Sequence, residues 1–160
     1  MMSAMGLAEP PSLAPQRFED FYRAQHEPML RLAYLLTGSR PAAEDLVQDS
    51  FVRVQPRYAS LDAPSAYLRR TVTNACYSWL RRQQRERAYQ AQPETFAPPE
   101  HDELWDALAK LAPRRRAALV MRYYLDLSEA DIAEALGCRR GTVKSLTHRG
   151  LADLREVLEP

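Results

Sequence analysis

The sequence predicts an all-α protein made of two small helical domains joined by a flexible linker, and three observations carry that reading. Apolar residues recur at intervals of three and four along most of the chain, and no segment alternates with the period of a strand. Glycine is scarce, at 5 residues, against 12 prolines, a balance that favours helices with sharp stops over hairpins. Between residues 88 and 102 the periodicity fails, and Gln, Glu and three prolines (Pro93, Pro98, Pro99) take over, as in a semi-extended tether. The predicted organisation is a disordered tail over 1–16, a first domain over 17–87, an acidic linker over 88–102 and a second domain over 103–160.

The first helical pattern opens at Phe18 and continues through Phe21, Tyr22, Met29, Leu30, Leu32, Ala33 and Leu36, ending at Thr37-Gly38. Pro28 is expected to separate or kink it. Ser39-Arg40-Pro41 reads as the next helix start, with Leu46, Val47, Ser50, Phe51 and Val54 on one face and Pro56 as its stop. A loop over 57–63 then leads to Asp62 and Pro64, which open a third long helix. Its inner face is expected to be Leu68, Val72, Ala75 and Trp79, with arginines crowding the outer face and the C-terminal end. The second domain reads as four short helices, at 103–111, 113–125, 128–136 and about 139–158. Ser128 serves as a cap three residues before Asp131, and Gly137 as a left-handed stop.

The formal charge of +1 conceals an uneven distribution. Residues 64–90 carry six arginines against Glu86, whereas residues 91–112 carry five carboxylates against Lys110. Only Lys110 and Lys144 are lysines, so 20 of the 22 cations are arginine. Arginine's planar fork suits phosphates and guanine edges. A G+C-rich coding sequence would raise the arginine count as well, but not its clustering.

Several function classes are excluded. No run approaches the roughly 20 apolar residues that span a bilayer, and the first 15 residues lack the basic and apolar segments of a secretory signal. A cytoplasmic location is expected. There is no glycine-rich phosphate loop, no G-x-S-x-G and no H-E-x-x-H, and His26, His101 and His148 stand in separate segments. Cys76 and Cys138 read as small buried hydrophobes. The chain is therefore expected to be no enzyme, with no catalytic residue, metal or cofactor.

What remains points to nucleic acid. Ala133, Gly137 and Val143 have the spacing of a helix-turn-helix: a small residue at the crossing, a glycine in the turn and a β-branched anchor on the second helix. That second helix would expose Arg139, Arg140, Thr142, Lys144, Ser145, His148 and Arg149, all able to donate to phosphates or base edges. The helix over 64–87 joins Tyr67, Tyr77 and Trp79 to six arginines, a composition suited to unstacked bases, although the same aromatics would equally serve a core. The acidic run Glu44 to Asp49 cannot favour DNA. It is either an ordinary amphipathic face or one that meets a basic protein.

Three runs in register resemble a known family. Ala43-Glu44-Asp45-Leu46-Val47-Gln48-Asp49-Ser50-Phe51 is similar to region 2.2 of bacterial sigma factors. Ala66-Tyr67-Leu68-Arg69-Arg70-Thr71-Val72-Thr73-Asn74, with Arg81-Arg82, resembles regions 2.3 and 2.4. Leu111 to Arg116, Leu127 to Ala133 and Leu136 to Ser145 resemble region 4. Order, spacing and length match the extracytoplasmic-function subfamily, which keeps only these two domains, and the resemblance covers roughly residues 17–156.

The resemblance implies a subunit that binds core RNA polymerase, recognises the minus-thirty-five and minus-ten promoter elements and melts the latter. It implies that Glu44, Asp45, Gln48 and Asp49 dock on the clamp helices of the β′ subunit. It places Tyr58 and Asn74 at a pocket for a flipped base, with Tyr67 and Arg70 nearby and Arg81 and Arg82 on phosphates. Arg139, Arg140, Thr142, Lys144, Ser145, His148 and Arg149 would read the minus-thirty-five element, while Leu104, Leu108 and Leu111 would grip the β flap and the linker would thread a basic channel. Leu146 stands where the family has a polar reader, leaving an apolar contact to DNA. No fused sensory domain is expected after the last helix, so regulation is expected from a separate anti-sigma factor, from expression level or from another partner, and neither membrane insertion nor a small-molecule substrate is implied. Two other readings stay open on the residues alone. One is a stand-alone helix-turn-helix regulator that dimerises through residues 17–90, and the other an anti-sigma-like adaptor using the same surfaces for protein contacts.

Overall fold

A computed structural model describes residues 17–89 and 103–159. All the regular structure among these is helical: α1 (Phe18–Thr37), α2 (Arg40–Val54), α3 (Pro64–Tyr89), α4 (Glu103–Ala109), α5 (Pro113–Leu119), α6 (Glu129–Leu136) and α7 (Arg140–Leu158). The tail over 1–16 and the linker over 90–102 lie outside the described residues. Helix α3 runs two residues past the expected boundary at Arg87.

Helices α1, α2 and α3 pack pairwise into one bundle. Met29, Leu32 and Leu36 of α1, Val47, Phe51 and Val54 of α2, and Leu68, Val72 and Cys76 of α3 are all buried in it. The inner face of α3 thus passes through Cys76, not Ala75, and Trp79 is only half-buried; Leu68, Val72 and Cys76 keep a strict four-residue step. Burial pushes the Cys76 thiol up to about 12, which keeps it protonated and inert. Pro28 does not divide α1. Proline removes one helical hydrogen bond, and the burial of Met29, Leu32 and Leu36 immediately after it keeps the helix continuous.

The Ser39 hydroxyl caps α2 by accepting from the Ala42 N–H at 3.3 Å. Pro56 does not release the chain into a loop. Residues Gln55–Ser60 continue as a 3-10 helix, and only residues 61–63 separate it from α3.

In the second half Pro113 occupies the first turn of α5. The helix expected to reach Leu125 is α-helical only to Leu119. It ends in a π-helical turn, Val120–Tyr124, closed by the Leu125 N–H donating to the Val120 carbonyl at 3.1 Å. Ser128 caps α6 through the Asp131 N–H at 3.1 Å. Gly137 then takes φ +61°, the left-handed stop of the helix-turn-helix. Ala133 and Val143 are both buried at the crossing of α6 and α7.

The halves are not held apart. Helix α3 packs on α6, and α1 lies against α5 and the π-turn, so one apolar core runs through both.

Candidate nucleic-acid interface

Helix α2 divides cleanly along its length. Ala43, Val47, Ser50, Phe51 and Val54 point inward, so Glu44, Asp45, Gln48 and Asp49 necessarily point out, together with Val52. Arg40 pairs with Glu44 at 3.2 Å, and Tyr22 of α1 donates to Gln48 Oε1 at 3.3 Å. Asp45 and Asp49, one turn apart, carry no ion pair among the described residues. Their field faces outward, as a surface meeting a basic protein requires. Tyr22 and Val52 belong to the same patch and were not singled out from the sequence; Val52 is 59% exposed, an unusual state for a β-branched apolar residue on an otherwise acidic face.

On α3, Arg70, Asn74, Arg81 and Arg82 are exposed. Arg70 and Asn74 stand one turn apart, and Arg81 follows two turns beyond Asn74, so their side chains share a side of the helix. Tyr67 is half-buried and leans on the core. Tyr58 lies on the 3-10 helix, where its ring sits 5.4 Å from Phe18 and 5.0 Å from Phe21 in a cluster that includes Phe51 and Tyr22. It is held by packing rather than presented on a mobile loop. Tyr77 also packs on the core, whereas Trp79, half-buried, does not.

The recognition helix α7 is the most exposed of the three. Arg139 precedes its first turn, and Arg140, Thr142, Lys144, Ser145, His148 and Arg149 all reach solvent. Lys144 meets Glu129 of α6 only loosely, at 3.9 Å, and the Ser145 hydroxyl donates to the Gly141 carbonyl at 3.3 Å. Arg115 and Asp153, bonded at 2.5 Å, brace α5 against the far end of α7 and so fix its direction.

Leu146 is half-buried and packed against the core, because it follows Val143 by three residues on the inner side of α7, so only part of its side chain remains on the surface. One expectation needs correction. Of the three leucines expected to grip a partner, Leu108 and Leu111 are buried inside this arrangement, and only Leu104 is exposed. Leu104 instead borders an apolar cleft of about 270 Å³ with Leu35, Tyr123, Tyr124 and Leu151. The Tyr123-Tyr124 pair was its visible signal in the sequence.

The family described as Sigma-70 region 2 matches residues 21–86, and Sigma-70, region 4 matches residues 101–154. The RNA polymerase sigma-E factor of Streptomyces coelicolor is 35% identical over 151 residues, covering 88% of this chain and 85% of that protein. The chain belongs to the extracytoplasmic-function sigma factors. A second member, the ECF RNA polymerase sigma factor SigM of Mycobacterium tuberculosis, is 32% identical over 150 residues, covering 88% of this chain and 76% of its own. Among solved structures, the sigma factor RpoE of Bartonella quintana, crystallised with the anti-sigma factor NepR, superposes with a TM-score of 0.75 at 25% identity, over 89% of this chain and 96% of that one. As a sigma factor the chain is a promoter-recognising subunit of RNA polymerase. No described helix is long and apolar enough to cross a membrane.

Proposed function

We propose that this sigma factor docks on core polymerase through Glu44, Asp45, Gln48 and Asp49, and reads the minus-thirty-five element in the major groove through Arg139, Arg140, Thr142, Lys144, Ser145, His148 and Arg149. Tyr58, Tyr67, Arg70 and Asn74 take the melted minus-ten strand, and Arg81 and Arg82 hold its phosphates. The observation that carries this reading is the separation of charge between helices: α2 exposes Asp45 and Asp49 without an ion pair among the described residues, while residues 140–149 of α7 expose cations and neutral groups and no carboxylate. An acidic face repels phosphates and a basic one gathers them.

A captured base must be repaid for leaving its stack, and an aromatic ring fixed in a cluster supplies that without first losing its own freedom. The factor performs no chemistry itself, works in the cytoplasm, and has a first domain over 17–87, a linker over 88–102 and a second domain over 103–160. Its control comes from a separate anti-sigma factor, the kind of partner with which the Bartonella quintana RpoE was crystallised.

Run-off transcription with core polymerase on promoters selected from a genomic library tests the assignment. Asp49→Arg should abolish initiation by weakening polymerase binding roughly thirtyfold, a like-charge cost of about 2 kcal/mol. Asn74→Ala should bind polymerase normally and open promoters poorly. Polymerase-independent binding of the chain to a palindrome, with initiation indifferent to both changes, would overturn it.

A further inference from the structure

Helix propensity alone gives no reason for a glycine at position 150. It stands inside the 19-residue α7, where only proline is a poorer helix former, and it is buried. The reason lies in α5, which packs against this helix. A Cβ at Gly150 would fall 3.0 Å from Leu119 Cγ and 3.1 Å from Leu119 Cδ1, with the Arg115 carbonyl oxygen at 3.4 Å. The first two distances are closer than side chains ordinarily pack, and the carbonyl belongs to a helix backbone that cannot rotate away. Gly141, on the same helix, has nothing among the described residues within 4 Å of the corresponding position. One turn beyond Gly150, Arg115 Nη1 meets Asp153 Oδ2 at 2.5 Å, so the same stretch of α5 holds α7 twice.

Val143 holds the helix at its other end. It is buried at the crossing with α6, seven residues before Gly150, which is two turns and about 10 Å of rise. Helix α7 therefore rests on two fixed points, and its readers lie unevenly about them. Arg140, Thr142 and Lys144 flank Val143, whereas His148 and Arg149 directly precede Gly150. A displacement of a few tenths of an ångström at Gly150 would tilt the helix about Val143. His148 and Arg149 would move by nearly the full amount, and Arg140 and Thr142 would stay almost in place. Hydrogen bonds to base edges tolerate little such misplacement.

Given the reading of the minus-thirty-five element by α7 proposed above, we propose that Gly150 is a specificity-determining residue. It lets α7 settle on the α5 backbone, the Arg115–Asp153 pair locks that approach, and together they set which base pairs the His148 end can read. Gly150, Arg115 and Asp153 are positioning residues that act through His148 and Arg149.

Transcription by the holoenzyme from a library with a randomised minus-thirty-five element and a fixed minus-ten element tests this. His148→Ala first marks the base pairs read at that end of the helix. Gly150→Ala should change the preference at those pairs by about fivefold or more, and leave those read by the Arg140 end as they were. Gly150→Val, with two further methyl groups, should change it more. Asp153→Asn should relax the same base pairs, and exchanging the charges, Arg115→Asp with Asp153→Arg, should restore them. Urea unfolding supplies the structural control. Both Gly141→Ala and Gly150→Ala favour the helix, but only the second meets α5, so it should gain less stability. If circular dichroism shows that Gly150→Val has lost helix, Gly150→Ala and Asp153→Asn still decide the matter. Equal gains at the two glycines, or a uniform fall in transcription with every preference retained, would overturn the role of Gly150. An unaltered holoenzyme with no minus-thirty-five preference would overturn the reading of α7 itself, and this inference with it.

Discussion

Every candidate DNA contact on α7 is exposed, and the helix is fixed from behind by Val143, Leu146 and the Arg115–Asp153 pair. In the first half the candidates divide: Arg70, Asn74, Arg81 and Arg82 are exposed, whereas Tyr58 and Tyr67 are half-buried and packed on the core. The difference follows from what each surface must meet. A duplex presents its edges from outside, so the reader needs only a rigid rod of donors. An unstacked base needs a wall to lie against, and that wall must be continuous with the core. Under the proposed function, recognition and stability are separable in the second half and joined in the first.

Phe51→Ala should show that joining most strongly. Phe51 touches the rings of Phe18, Phe21, Tyr22 and His26, and is almost fully buried. Its truncation should cost about 3–5 kcal/mol in urea unfolding. Promoter opening should fall with it even under conditions where the chain remains folded, because the cluster that fixes Tyr58 loses its centre.

Lys144→Ala is the complementary test on α7. Its ion pair with Glu129 is long, and the lysine is 69% exposed, so stability should change by less than about 0.5 kcal/mol. Holoenzyme binding to promoter should nevertheless weaken, and the slope of log affinity against log salt should become shallower by about 0.9, the signature of one lost phosphate contact. A loss of stability as large as that of Phe51→Ala would show that reading and folding are not separable there.

The sequence exposes these two designs to different degrees. Helix spacing and capping are local, so the ends at Gly38 and Gly137, the caps at Ser39 and Ser128 and the outward faces of α2 and α7 could all be read from neighbours a few residues away. What could not be read depends on distant residues. Whether Pro28 breaks α1 is decided by the packing of the turn after it. Whether Leu108 and Leu111 are available to a partner depends on how α4 sits against α5 and α7. The contact of Trp105 with Gly38 joins residues 67 positions apart, and neither carries a local sign of it.

The smallest expected effect compares one motif in the two halves. Ser39 and Ser128 are both N-caps whose hydroxyls accept from a backbone N–H three residues on, at 3.3 and 3.1 Å. Their surroundings differ: Ser39 is buried where α1 turns into α2, and Ser128 is exposed. Removing the hydroxyl at Ser128 lets water reach the freed N–H, so Ser128→Ala should cost only about 0.5 kcal/mol. At Ser39 the surrounding structure hinders that replacement, and the Thr37 hydroxyl also accepts from the Ser39 N–H at 3.3 Å, tying the cap into the turn. Ser39→Ala should therefore cost about 1.5 kcal/mol, towards the upper end for such caps. Equal losses in paired urea titrations would mean that water reaches the first cap as freely as the second, and that the turn between α1 and α2 is looser than its packing indicates.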